Sequence, residues 1–285
     1  MNNLLIIGYG KWGKKIFNYF NNTKFFNNIY IKRLTKNYTY CKKKNKLIEI
    51  DGNVVPKNID FVHICSPTKT HYSLYKKFKK AKNLSVEKPL FDKKNQYSFF
   101  KDQDLIKVNY IDLYNPITNF FFSDLKYNEP QKIYLNYSNR ENFFKKQIDF
   151  LNDWLDHPLS ILLQMPRIDK IEKVESAIKL NRKKKFNYIF VRLKIKKTLV
   201  DISINKTLKK KREFIVLKKN KKIKYDLLKN KILINNKLNT KFNYSAFDNF
   251  FFKTNHLKTN IKFKKIKFHK KIFKFKKDLI NLINR

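Results

Sequence analysis

Gly8, Gly10 and Gly13 form the run G-Y-G-K-W-G, a spacing that lets main chain rather than side chains hold a phosphate. The first glycine permits a tight turn, the second lets a pyrophosphate approach the backbone, and the third lets the following helix pack closely on the preceding strand. The chemistry would be dinucleotide binding, because the N–H groups that open a helix point at the ligand and the helix dipole favours its charge. The neighbours supply the required context: the apolar run Leu4 to Ile7 comes before, and Trp12, Ile16 and Phe20 follow at helical spacing. With only 4 glycines in 285 residues, three at this spacing carry more weight than the same pattern in an average chain. Tyr9, Lys11 and Trp12 fill the fingerprint and are assigned to the same site. The second strand, from Ile29, ends at Arg33, where a carboxylate would favour NAD and a basic group NADP. Either dinucleotide is therefore expected, and Arg33 tilts the preference toward NADP.

A parallel sheet is needed to position such a turn. Phe61 to Cys65 forms an apolar run, Ser66-Pro67 a turn, and Leu74, Phe78 and Ala81 one face of a helix with Thr68 as its expected N-cap. A short strand over residues 84–86, the run Glu87-Lys88-Pro89, a further helix and a strand over 105–111 complete the alternation. Ligands sit beyond the carboxyl ends of such strands, so Ser66, Pro67, Glu87 and Lys88 are placed on the rim of the glycine turn. The fold class is α/β plus α+β. A Rossmann domain over 1–114 is followed, over 115–285, by an α+β substrate-binding and oligomerisation domain with a mainly antiparallel open sheet. That second half opens with a helical segment from Ile117 and the strand 132–138, continues through alternating segments at 186–195, 199–204, 213–217, 223–225 and 231–234, and ends in an amphipathic helix carrying Phe268, Ile272, Phe275 and Leu279.

G-Y-G-K-W-G at 8–13, S-P-T-K-T-H at 66–71 and V-E-K-P-L at 86–90 occur in order, followed by L-Y-N-P at 113–116 and the D-x-x-x-H spacing of Asp153 and His157. Together they resemble the Gfo/Idh/MocA oxidoreductases, most closely the sugar-nucleotide dehydrogenases. The resemblance implies an NAD(P)-dependent enzyme moving a hydride between nicotinamide and a secondary alcohol or ketone of a sugar, cyclitol or sugar nucleotide. It implies that Lys88 reaches both nicotinamide and substrate hydroxyl, that Asp153 and His157 form an acid/base pair, and that His71 lines the cofactor site. The residue types suit those tasks: an imidazole accepts a proton near neutral pH, and an ammonium stabilises a developing alkoxide. Pro158 suits a first helical turn, which would put His157 at a helix N-terminus. The sequence departs from the family pattern at Lys82-Asn83, where glycine is usual, and at Pro158, where aspartate often follows the histidine.

The formal charge of +44 comes from 66 Lys plus Arg against 22 Asp plus Glu. Lys, Asn, Ile, Phe and Tyr, all abundant here, have A/T-rich codons, while the scarce Gly, Ala, Arg and Pro need G/C-rich ones, so coding bias accounts for much of the charge. The lysines are dispersed rather than gathered in a stripe, and no nucleic-acid module signature is present, so no specific nucleic-acid partner is expected. A noncatalytic NAD(P) sensor or scaffold on the same fold and, behind it, a basic nucleic-acid binder are the alternatives. Cys41 and Cys65 are too few for a disulfide framework or zinc site, and Cys65 is expected as a buried free thiol. No metal, no membrane partner, a cytoplasmic location and a homo-oligomer are expected. His63 is assigned to structure, and His256 and His269 to solvent.

Overall fold

The computed structural model describes residues 2–23, 25–34, 38–43, 46–51, 56–127, 129–139, 154–165, 173–182, 185–206, 208–243, 246–251 and 264–283. The chain divides into two compact units, Met1–Asn109 with Phe263–His269, and Tyr110–Lys262 with Lys270–Arg285.

The first unit is built on an eight-stranded sheet. Its strands are β1 (Asn2–Ile7), β2 (Phe26–Lys32), β3 (Tyr38–Lys43), β4 (Lys46–Asp51), β5 (Phe61–Ile64), β6 (Asn83–Glu87) and β7 (Leu105–Asn109), with the two-residue β16 (Lys264–Lys265) on one edge. The order β16-β7-β6-β5-β1-β2-β3-β4 has five parallel strands at its centre, the expected Rossmann sheet. Leu4 to Ile7, Ile31, Val62, Ile64 and Val86 are buried, as strands covered on both faces require. Helix α1 (Lys11–Asn21) buries Gly13, Ile16, Phe17 and Phe20, and α2 (His71–Phe78) buries His71 and Phe78. Two local expectations change. The residue capping α2 is Thr70, after a 3₁₀ turn over Thr68–Thr70, and the helix expected behind Pro89 is the 3₁₀ segment Lys94–Phe99. Phe91 and Phe100 of this region pack ring to ring with Tyr75 and with each other, and Tyr97 packs on Phe91, which anchors the chain after Pro89.

The second unit carries a separate sheet in the order β15-β14-β13-β12-β8-β11-β10-β9. The strands are β8 (Lys132–Ser138), β9 (Lys173–Arg182), β10 (Lys185–Ile195), β11 (Thr198–Asn205), β12 (Lys211–Lys218), β13 (Lys221–Asp226), β14 (Lys231–Ile234) and β15 (Lys237–Lys241). All pairings are antiparallel except β8 with β11. One face buries Ile133, Leu135, Tyr137, Val200, Ile202, Phe214 and Val216, while Tyr134, Asn136, Ser203 and Ile215 alternate onto a half-exposed face. Asp201 lies within that open face, held by a two-pronged ion pair from Arg192 at 2.7 and 2.8 Å and by Lys132 at 2.9 Å. The helices of this unit are α3 (Pro116–Tyr127), α4 (Asp156–Leu162) and α5 (Ala246–Phe251), and the final helix α6 runs over Ile266–Ile283.

Helix α6 corrects one expectation. His269 is buried, 1% exposed, with Nε2 3.3 Å from the Ile106 carbonyl, because the edge pairing of β16 with β7 draws the helix start onto the first sheet. His256 lies outside the described residues. Further along α6, Lys276 extends its ammonium to Asp156 Oδ1 at 2.8 Å, both side chains being buried. Removing one partner of such a pair strands the other charge. Lys276→Met is expected to lower unfolding free energy in urea by about 3–5 kcal/mol, and adding Asp156→Leu to recover most of it.

Candidate active site

The glycine turn is explained by crowding at two of its glycines and by open space at the third. Gly8 has φ +98°, and a Cβ there would lie 2.7 Å from the Ser66 nitrogen. A Cβ on Gly13 would lie 2.1 Å from the Gly8 carbonyl oxygen, so α1 can meet the end of β1 only if this residue is glycine. Cys65 seals the junction, its thiol donating to the Gly8 carbonyl at 2.9 Å. Burial, and after it the Glu87 charge, pushes that thiol well above its ordinary pKa, so it stays protonated. Gly10 is different. It caps α1 with φ −78°, and a Cβ there would meet no protein atom within 4 Å.

Gly10 faces a cavity of about 500 Å³ lined by residues of the glycine turn, the end of β2 and the Cys65-Ser66-Pro67 turn. Of the residues assigned to a cofactor from sequence, Gly8, Tyr9, Gly10, Lys11, Trp12, Arg33, Ser66 and Pro67 line it. Lys14, Leu34 and Cys65 line it as well and were not foreseen. Cys65 could have been, since it directly precedes Ser66-Pro67, whereas Lys14 carries no distinguishing signal among so many lysines. No carboxylate lines the cavity among the described residues. The Arg33 guanidinium sits 5.2 Å from the Tyr9 ring centroid and 5.0 Å from that of Tyr40, and its Nε is buried with no hydrogen-bond partner. A helix N-terminus, a basic lip and a gap beside Gly10 are together the donor set that a dinucleotide's phosphates need.

Gly13, His71, Glu87 and Lys88 are not among the lining residues. His71 bridges two rim segments instead, with Nε2 2.8 Å from the Ser66 carbonyl and Nδ1 3.0 and 3.1 Å from those of Pro89 and Leu90. Burial holds its pKa below the ordinary value, against the upward pull of the three carbonyls. Glu87 accepts from Asn109 Nδ2 at 2.5 Å and contacts His63 Nε2 at 3.2 Å, while His63 Nδ1 lies 2.8 Å from Ser85 Oγ. This buried chain joins β5, β6 and β7 just beneath Lys88. His63 is therefore structural, as expected. Lys88 follows β6 directly, is 7% exposed, and precedes Pro89 across a cis peptide.

In the second unit His157 is the second residue of α4 and is buried. Its Nδ1 lies 3.0 Å from Asp112 Oδ2, and the other Asp112 oxygen accepts from Arg212 Nη1 at 2.8 Å. Burial alone would raise the Asp112 pKa, yet Arg212 and His157 hold it well below the carboxylate range. The Tyr137 ring stacks on the imidazole at 6.0 Å and 25°, and burial first, then the Asp112 charge, pushes its hydroxyl pKa well up. Asp153, assigned from sequence as the partner of His157, lies outside the described residues. Asp112, Arg212 and Tyr137 were not singled out. The available signal was scarcity, since Asp112 is one of 22 acids and stands just before L-Y-N-P, and Arg212 is one of seven arginines. Lys88 belongs to the first unit and His157 to the second. No cluster of three or more His, Cys, Asp or Glu able to hold a metal, and no helix long and apolar enough to cross a membrane, occurs among the described residues.

No protein-family model and no curated protein sequence matches the chain. Solved structures do. UDP-N-acetylglucosamine 3-dehydrogenase from Acidithiobacillus ferrooxidans is similar with a TM-score of 0.72 at 12% identity, over 99% of this chain and 97% of that one. A Gfo/Idh/MocA family oxidoreductase from Vibrio cholerae gives 0.68 at 13% identity, over 100% of both. An Agrobacterium radiobacter oxidoreductase in complex with NAD+, L-tartaric acid and magnesium gives 0.58 at 11%, over 99% and 88%. The chain thus has the fold of the Gfo/Idh/MocA-type oxidoreductases.

The two kinds of glycine separate in a stability measurement. Gly13→Ala should cost about 3 kcal/mol or more in urea unfolding because backbone must move, whereas Gly10→Ala, at negative φ with open space, should stay within about 0.5 kcal/mol of wild type.

Proposed function

We propose that the chain is an oxidoreductase that uses NAD or NADP to interconvert a secondary alcohol and a ketone on a sugar, cyclitol or sugar nucleotide. The observation that carries this reading is Gly10: the protein's own packing gives no reason for a glycine there, and the missing side chain opens onto the cavity beside a helix N-terminus. A bound dinucleotide supplies that reason and, through its nicotinamide, a place for a hydride to come from or go to. The remaining tasks fall to the chain. The N–H groups opening α1, with Ser66, would hold phosphate oxygens. Arg33 would meet the adenosine ribose, and its guanidinium, with no carboxylate among the described residues lining the cavity, favours the 2′-phosphate of NADP. Lys88, on the rim where the parallel strands end, would stabilise the alkoxide oxygen, and His157 would take or return the hydroxyl proton. The fold shared with a sugar-nucleotide dehydrogenase makes nucleotide sugars the first substrates to try.

Titration of the full chain with NADPH and NADH, followed by Trp12 fluorescence quenching, tests the cofactor. Binding of NADPH tighter than NADH is expected, with Arg33→Ala removing the difference. Gly10→Val should weaken both by tenfold or more, about 1.4 kcal/mol, while remaining folded. A screen of nucleotide sugars and polyols then tests the reaction, with Lys88→Ala expected to bind dinucleotide normally but to lose on the order of 10²–10³ in kcat. Binding without turnover of any candidate would favour a sensor, and no binding at all would reject the reading.

A further inference from the structure

We propose that Asp112, clamped by Arg212, is the positioning residue for His157: it keeps the imidazole hydrogen on Nδ1, so that Nε2 presents the lone pair to the reacting hydroxyl. This rests on the oxidoreductase reading and deepens it, since that reading names a base without saying what sets its tautomer. Nδ1 and Asp112 Oδ2 are 3.0 Å apart in a buried setting. Two lone pairs facing each other at that distance repel, so a hydrogen lies between them, and it can come from either group. Arg212 decides the matter. Its guanidinium donates to the other carboxylate oxygen at 2.8 Å, which keeps Asp112 ionised and puts the hydrogen on nitrogen.

The surroundings oppose the alternative in which the ring turns over. Tyr137 stacks on one side at 25°, Trp154 meets the imidazole edge-on at 6.4 Å, and Ser160 Oγ donates to the His157 carbonyl at 2.8 Å, fixing the first turn of α4. A flipped ring would also set a C–H against the carboxylate in place of the N–H. In alcohol oxidation a bound nicotinamide would supply the acceptor for the carbon's hydride, and the hydroxyl O–H bond would break. Its electron pair becomes the second bond of the carbonyl and its proton goes to Nε2. The imidazolium so formed lies against the Asp112 carboxylate, which offsets its charge without itself taking the proton. The reverse reaction returns the proton along the same path.

The test uses the full chain labelled with ¹⁵N in histidine, with His157 signals identified by their loss in His157→Asn. Wild type is expected to show one neutral tautomer for His157, with hydrogen on Nδ1. Asp112→Asn should shift population to the Nε2–H form and lower kcat on the order of 10²–10⁴, with dinucleotide Kd unchanged. Should that variant not fold, Arg212→Gln serves in its place, with a mixed tautomer and a smaller fall in kcat expected. A wild-type His157 with hydrogen on Nε2, or a folded Asp112→Asn enzyme with tautomer and kcat unchanged, overturns the role of Asp112 while leaving the oxidoreductase reading intact. Wild type that binds no dinucleotide overturns both.

Discussion

There is no room for a carbon atom between Gly13 and the carbonyl of Gly8, and this contact sets the geometry of the first unit's rim. Because α1 can approach so closely, its first turn begins at the end of β1, where Gly10, Lys11 and Trp12 line the cavity. Cys65, bonded to the same carbonyl, fixes the end of β5 at that level, and the parallel register of β5 with β6 and of β6 with β7 carries the level across to Glu87, Lys88 and Asn109. Any side chain at Gly13 would tilt the helix, and with it the first-turn N–H groups that have no partner within the helix.

Acidic residues are scarce in this chain, and several are placed where their absence would leave a cation or ring nitrogen unpaired in the interior. Glu87 joins His63 and Asn109 below the rim, Asp112 joins His157 and Arg212, Asp156 meets Lys276, and Asp201 gathers Arg192 and Lys132. Lys218 with Asp124, and Lys224 with Glu213, extend the pattern to half-buried positions. A carboxylate in each of these clusters is hard to exchange, because a buried partner left alone loses solvation without compensation. A lysine on the outside carries no such constraint, and an excess there is compatible with many folds and activities.

That contrast explains what could be read from the sequence. The glycine turn, the five parallel strands and most strands of the second sheet were legible because each rests on an apolar run or a steric requirement that the composition could not imitate. The β3–β4 hairpin, β9 and β15 were missed. Their lysines and asparagines blur the period-two alternation that marks a strand, and their register is set by neighbours such as β2 and β10. His269 was misplaced for a related reason. In a run of lysines it reads as a solvated residue, and only the pairing of β16 with β7, a contact 158 or more residues apart in sequence, brings it under cover. Asp112 escaped notice because its role depends on Arg212, one hundred residues away, and no local pattern joins the two.

The three glycines of the fingerprint separate structural from functional constraint within a single turn. Gly8 is held by a positive φ and a wall of backbone, and Gly13 by the carbonyl it touches, so both are accounted for by the fold alone. Gly10 has negative φ and empty space beside it, and the fold would accept alanine there. In an ordinary protein one such residue would mean little. In a chain that uses glycine at 4 of 285 positions, it calls for a cause, and a side chain at that point would protrude into the cavity between the first turn of α1 and Pro67. The residues lining that cavity, the start of α1 and Arg33 with no carboxylate among the described lining residues, suit an anion that runs close along the backbone.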